Sequence, residues 1–278
     1  MTSLKIRNPF NAPIYYEETV SSTMDVSRNL ARENSPHGSV ILADFQEAGR
    51  GRKQDRRWEM ERGTNLSFTI LLRFSGFEDI PPALTLRAGL AVCLAIEDFA
   101  PCLQGSCLVK WPNDIMIKPI RGESYKKAVG ILCEADGGNV HLGIGINTAQ
   151  KEFPSHLREK AVSIALAADM DISQKERYVL LEKILSRLYG ELYAVNNWKQ
   201  RLEQRLYKKG EQVLFIEGAA GSGKEIKGLF VGITEIGELL IIPDGETNPR
   251  PFITGELKIF NHEPHEPGAN KEELALNT

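Results

Sequence analysis

Apolar positions recur along the chain in two rhythms, one of period two and one of three to four, and the changes of rhythm mark out the elements. Ile14 to Thr19 reads as a short strand. Ser21-Ser22-Thr23 then offer capping hydroxyls to a helix from about Met24 to Glu33, with Met24, Val26, Leu30 and Ala31 as its apolar stripe, before Pro36 to Gly38 turn the chain. Ser39 to Phe45 and Asn65 to Arg73, rich in β-branched and aromatic residues, predict two further strands. Pro81-Pro82 open a helix reaching about Phe99, apolar on nearly every side between Ala88 and Ile96, which predicts cover on more than one face.

Leu108 to Trp111 and Ile115 to Lys118 are short strand-like segments interrupted by Pro112-Asn113, and Lys118 to Lys126 reads as a charged turn. Ala128 to Glu134 and Val140 to Ile146 form a hairpin across Asp136-Gly137-Gly138-Asn139. From Lys175 to about Tyr207 the spacing of Tyr178, Leu181, Leu185 and Leu188 predicts a helix. After Lys208-Lys209-Gly210 the pattern becomes short strands and turns. That change sets a boundary: a main domain over 1–207, a small SH3-like barrel over 208–260, and a tail over 261–278 with little to bury.

Charge alters this picture only locally. Lys plus Arg (34) nearly balance Asp plus Glu (37), so a formal net charge of -3 provides no global field to gather nucleic acid or an anionic membrane, and an anionic ligand needs a local cluster. Cys93, Cys102, Cys107 and Cys133 form no CxxC pair and the histidines are scattered, which argues against structural zinc or a disulfide scaffold and for a reducing, cytoplasmic setting. The N-terminus lacks the pattern of an export signal, and no window offers 18 uncharged apolar residues, so neither export by that route nor membrane spanning is expected.

The cluster lies between the second and third strands. Gln46 to Gly63 carries Arg50, Arg52, Lys53, Arg56, Arg57 and Arg62 among three glycines with almost no apolar residue, the most basic and least foldable stretch of the chain. Two other motifs carry less. Gly218 to Glu225 (GAAGSGKE) has Glu225 where a phosphate loop needs Ser or Thr and no long helix after it, so a hairpin turn is expected. His262 and His265 lack a third ligand and read as solvated tail residues.

The segment GRGRKQDRRW (Gly49 to Trp58) resembles the signature loop of biotin protein ligases. Ser22-Thr23, Gln46, KWPND (Lys110 to Asp114), KAVGIL (Lys127 to Leu132) and GIGIN (Gly143 to Asn147) follow the same family's order. The resemblance is strong over Tyr15 to Asn147 and weaker from Gly210 to Phe260. It implies an α+β fold: a mixed-sheet catalytic domain related to class II synthetases and lipoate ligases, then the SH3-like domain. It also implies two steps, in which biotin and ATP give biotinyl-5′-adenylate and pyrophosphate and a lysine of a biotin carboxyl carrier protein then takes the biotinyl group. ATP, Mg²⁺ and biotin are the implied ligands, with no DNA or membrane partner and a monomer or homodimer as the assembly.

Family roles pass to matching positions. Arg52 and Lys127 are the implied catalytic cations, meeting the biotin carboxylate and the α-phosphate; a guanidinium supplies directed donors that a point charge cannot. Ser22, Thr23 and Gln46 serve the ureido end of biotin, Arg50 lies near biotin and the adenylate, and Gly49, Gly130, Gly143 and Gly145 allow close backbone approach. Trp58, Lys110, Asn113, Asp114 and Asn147 surround the nucleotide, with Arg56 or Arg57 as the further phosphate contact and Asp114 facing magnesium. Lys126, next to Lys127, is expected to face solvent because neighbours alternate along a strand. The chain departs from the family in one extra residue before Trp58, in Gln54-Asp55 at a glycine position, and in Met24 where Asn is usual. A lipoate or octanoyl ligase shares the fold and chemistry, and a biotin-binding regulator without catalysis is a further alternative. A DNA-binding repressor would need a helix-turn-helix domain, for which the 14 or so residues before the first strand are too few.

Overall fold

The computed structural model describes residues 1–52, 58–194, 197–218 and 223–258. The phosphate-contact assignments at Arg56 and Arg57, the tail over 261–278 and His262 and His265 lie outside the described residues.

Eight strands form one mixed sheet in the order β1 (Thr2–Ser3), β2 (Ile14–Val20), β3 (Ser39–Gln46), β4 (Leu66–Arg73), β8 (Asn139–Ile146), β7 (Lys126–Asp136), β6 (Asp114–Ile117) and β5 (Cys107–Lys110). Only β2 and β3 pair in parallel, because helix α1 (Thr23–Arg32) carries the chain back between them; every other neighbour is antiparallel. Ser22 is the α1 N-cap, its hydroxyl accepting from the Met24 N–H, as the sequence predicts.

The two faces of this sheet differ in kind. One is a continuous apolar layer in which Val40, Leu42, Phe68, Ile70, Leu72, Leu142, Ile144, Ile146, Val129, Ile131 and Ile115 share a cluster with α2 (Leu84–Phe99) and α4 (Gln174–Tyr193). The segment Phe77–Phe99, which contains α2, is long and apolar enough by composition to cross a membrane, and the burial of α2 between the sheet and α4 accounts for that composition. The opposite face carries α1 and the functional site.

Two helices differ from expectation. α2 begins at Leu84 rather than at Pro81-Pro82, because Ala83 takes a left-handed conformation (φ 54°) at the N-cap. The long helix expected to reach Tyr207 instead appears as α4, begun by a capping box at Ser173 and Glu176, and a separate α5 (Trp198–Glu203). A short α3 (Ile164–Ala168), capped by Ser163, was not legible in the pattern.

After α5, strands β9 (Gln212–Glu217), β10 (Glu225–Ile233), β11 (Leu239–Pro243), β12 (Arg250–Phe252) and β13 (Gly255–Leu257) make an antiparallel sheet ordered β12-β11-β10-β9-β13. β9 and β10 pair antiparallel; residues 219–222 of the GAAGSGKE stretch between them, where a hairpin turn is expected, lie outside the described residues. Trp111 ties this sheet to the larger one, donating from Nε1 to the Gly237 carbonyl at 3.0 Å and meeting Phe215 edge-on.

Candidate active site

Alternation along β4, β7 and β8 decides what the open face can hold. Ser67 and Thr69 on β4 stand opposite Gly145 and Gly143 on β8, and these oppose Gly130 and Leu132 on β7. Directly paired residues share a face, so small or polar side chains, Leu132 excepted, line up across three strands and leave a hollow beneath α1.

Strict alternation would turn Lys127 away from Gly130, three residues along. A β-bulge prevents this: Ile115 pairs with Val129 and Met116 with Lys127, leaving Ala128 as the extra residue. Lys127 thereby joins Gly130 and Asp114 on the open face, and its Nζ lies 2.6 Å from Asp114 Oδ1. Lys126 points elsewhere, donating to the Arg158 carbonyl at 3.0 Å with Glu159 at 3.6 Å. It is engaged with the 158–159 segment rather than simply solvated.

The end of β3 and the start of α1 form the second wall. Gln46 Oε1 accepts from both the Thr23 N–H (2.9 Å) and the Thr23 hydroxyl (3.0 Å), and Thr69 donates to Thr23 Oγ1 at 2.9 Å. This fixes three polar side chains from three elements at one end of the cavity. Met24 fills the adjacent space, its Sδ so near Gly143 that a Cβ there would come within 3.1 Å. Thr69, fully buried and supporting the cavity-lining Thr23 from behind, belongs to none of the motifs, although Ser67 and Thr69 alternating in an otherwise apolar strand are a readable signal.

The basic loop supplies the third wall. Gly49 closes its base by accepting from the Trp58 N–H at 3.1 Å, while Arg50, Gly51 and Arg52 line the cavity. Arg52 donates to the Gly255 carbonyl of β13 at 2.7 Å, and Glu256 joins the lining, so the C-terminal sheet forms part of the site. No motif in the sequence announced that contribution. The Trp58 indole lies on the paired glycines: a Cβ would meet it at 2.6 Å from Gly145 and 3.0 Å from Gly130. Its Nε1 is buried without a hydrogen-bond partner among the described residues, and Lys127 Nζ stands 6.0 Å from the ring centroid.

Ser22, Thr23, Gln46, Arg50, Arg52, Trp58, Lys110, Asn113, Asp114, Lys127, Gly130, Gly143 and Gly145 thus converge on one cavity. Asn147 does not line it; its amide donates to the Val162 carbonyl at 3.3 Å, tying the 160–163 segment to the sheet. Asn113 uses Nδ2 on the Ile131 carbonyl at 2.8 Å and follows a cis Trp111-Pro112 bond. Four cations (Arg50, Arg52, Lys110, Lys127) face two carboxylates (Asp114, Glu256), so the cavity is net positive in a nearly neutral protein. Such a site favours a ligand with several negative charges, and oriented donors there stabilise charge that develops during acyl or phosphoryl transfer.

Residues 16–149 match the biotin/lipoate A/B protein ligase family. The chain is 37% identical over 172 residues to the bifunctional ligase/repressor BirA of Bacillus subtilis, covering 58% of this chain and 49% of that one, so it spans about half that relative's length. It is 28% identical over 239 residues to the biotin–[acetyl-CoA-carboxylase] ligase of Mycobacterium tuberculosis, covering 83% of each. Among solved structures, the Aquifex aeolicus biotin protein ligase in complex with biotin and ATP superposes with a TM-score of 0.71 at 28% identity, over 88% of this chain and 97% of the other.

Proposed function

We propose that this chain, whose residues 16–149 match the biotin/lipoate A/B protein ligase family, is a biotin protein ligase that activates biotin with ATP and transfers it to a lysine of a biotin carboxyl carrier protein. The observation that carries this is the convergence of Arg52 from the loop and the bulge-directed Lys127 on one net-positive cavity, beside the Thr23–Gln46–Thr69 cluster. In the first step a biotin carboxylate oxygen attacks the α-phosphorus and pyrophosphate leaves. Lys127 and Arg52 hold the carboxylate and the phosphoryl oxygens as negative charge redistributes between them. In the second step the carrier amine attacks the acyl carbon and AMP leaves, with the same cations facing the oxyanion.

Lys127 reaches that role from an ion pair. Asp114 holds its ammonium at the cavity wall before ligand arrives, and an incoming carboxylate competes for the same cation. The ureido end of biotin meets Ser22, Thr23 and Gln46, whose fixed hydrogen bonds pre-orient them. With Met24 supplying no amide, Thr69 is placed to support the cluster from β4.

Magnesium meets a donor set that suits an ion carried in on phosphates: two carboxylates line the cavity, and among the described residues no three acidic, histidine or cysteine side chains gather into a cage. Asp114 is the side chain that would hold it, and the ion would neutralise phosphate charge. Free thiols at Cys93, Cys102, Cys107 and Cys133 suit a reducing cytoplasm. Incubation with ATP, labelled biotin and a generic biotin carrier domain is expected to label the carrier lysine. Failure to form either the adenylate or the labelled carrier would refute the assignment.

A further inference from the structure

One acidic side chain at the cavity rim belongs to none of the motifs. Asp25 lies in the first turn of α1, immediately after the cavity-lining Met24, and its Oδ1 accepts from two arginines: Arg28 Nη1 at 2.6 Å and Arg50 Nη2 at 2.7 Å. Arg28 also pairs with Glu134 of β7, so a charged ladder runs Glu134–Arg28–Asp25–Arg50 from the sheet to the basic loop. Arg50 is the one rung of the ladder that lines the cavity.

We propose that Asp25 is a positioning residue that sets Arg50 for the anionic end of the ligand, a claim that rests on the biotin-binding function above. An arginine side chain has several rotatable bonds and loses rotamer freedom whenever it grips an anion. Tethering one Nη to a helix whose own start is fixed by Ser22 and Gln46 removes part of that freedom beforehand, while the five-donor guanidinium keeps N–H groups to present elsewhere. Asp25 is about half exposed and Arg50 similarly so, which limits the effect to that of a solvent-screened pair. Arg28 shares the same carboxylate without reaching the cavity, so it separates positioning of Arg50 from general support of the ladder.

Calorimetric titration of biotin into the full chain tests this, with thermal unfolding of each variant as a check on folding. Asp25→Asn is expected to weaken biotin binding by about two- to fivefold, the range an exposed ion pair supports. Arg28→Gln is expected to bind within twofold of wild type, and Asp25→Asn added to Arg50→Ala to cause no further loss. Unchanged affinity in Asp25→Asn, equal losses in Asp25→Asn and Arg28→Gln, or an undiminished loss in the Arg50→Ala background would each overturn the proposal. A wild-type chain that binds no biotin would refute the function itself and this role with it, an outcome distinct from wild-type binding that Asp25→Asn leaves intact.

Discussion

The same strands present two surfaces that obey different rules. On β8, Leu142, Ile144 and Ile146 fill the face under α2, while His141, Gly143 and Gly145 between them line the other side. On β4, Phe68 and Ile70 belong to the first set and Ser67 and Thr69 to the second. One face is filled by large apolar side chains; the other gives up volume and leaves a cavity lined by an indole and four cations. Neighbouring residues are therefore expected to fail in different ways, those on the packed face through stability and those on the open face through chemistry.

The largest expected effect lies on the open face. Lys127→Ala should cost roughly 3 kcal/mol or more of transition-state stabilisation in adenylation, measured as kcat/KM for biotin, with little change in melting temperature. Near-wild-type adenylation would remove Lys127 from the chemistry. Leu142→Ala, on the packed face, should instead lose about 2–5 kcal/mol of unfolding free energy in denaturant titration, with KM for biotin held. A raised KM at unaltered stability would show that the two faces are not separable.

How legible this division was depends on the signal. The β-branched and aromatic content of NLSFTILLR and the Asp136-Gly137-Gly138-Asn139 turn signal located the strands, and the glycine-flanked arginines located the loop, because all are local patterns. The bulge at Ala128 was not legible: it depends on how β7 registers against β6, and no residue in KKAVGIL marks it. Nor was the reach of Gly255 and Glu256 into the site, since that follows from packing of the C-terminal sheet around Trp111 and Phe215. Asp25 was passed over because its significance lies in a partner 25 residues away rather than in a motif.

Smaller effects sharpen the contrast. Gly145→Ala places a Cβ within 2.6 Å of the Trp58 ring, so the indole must shift. Overpacking of this kind costs about 1–3 kcal/mol, here expected as weaker ligand binding by titration calorimetry rather than as unfolding. Wild-type affinity in that variant would show that Trp58 moves without consequence. The smallest effect concerns His141, buried on the open face with Nδ1 2.8 Å from the Ser27 hydroxyl. Burial, aided by the nearby Arg28 charge, pushes its pKa below the ordinary 6.5. The unfolded chain then takes up a proton near pH 6.5 while the folded chain resists, so this contribution to stability is intact above that pH. It is lost as pH falls toward the depressed folded value, by at most about 1.4 kcal/mol per pH unit. Unfolding free energies from pH 7.5 to 5 should show this slope in wild type and a shallower one in His141→Asn; identical slopes would assign the dependence elsewhere.

Whether two cations from separate stretches of chain serve one carboxylate and one phosphate is tested most directly by exchange of labelled pyrophosphate into ATP. With wild-type protein the exchange should require biotin, and it should fall by at least about a hundredfold in Arg52→Ala, as loss of a charge-stabilising donor commonly produces. Exchange that proceeds without biotin, or that survives undiminished in Arg52→Ala, would contradict it.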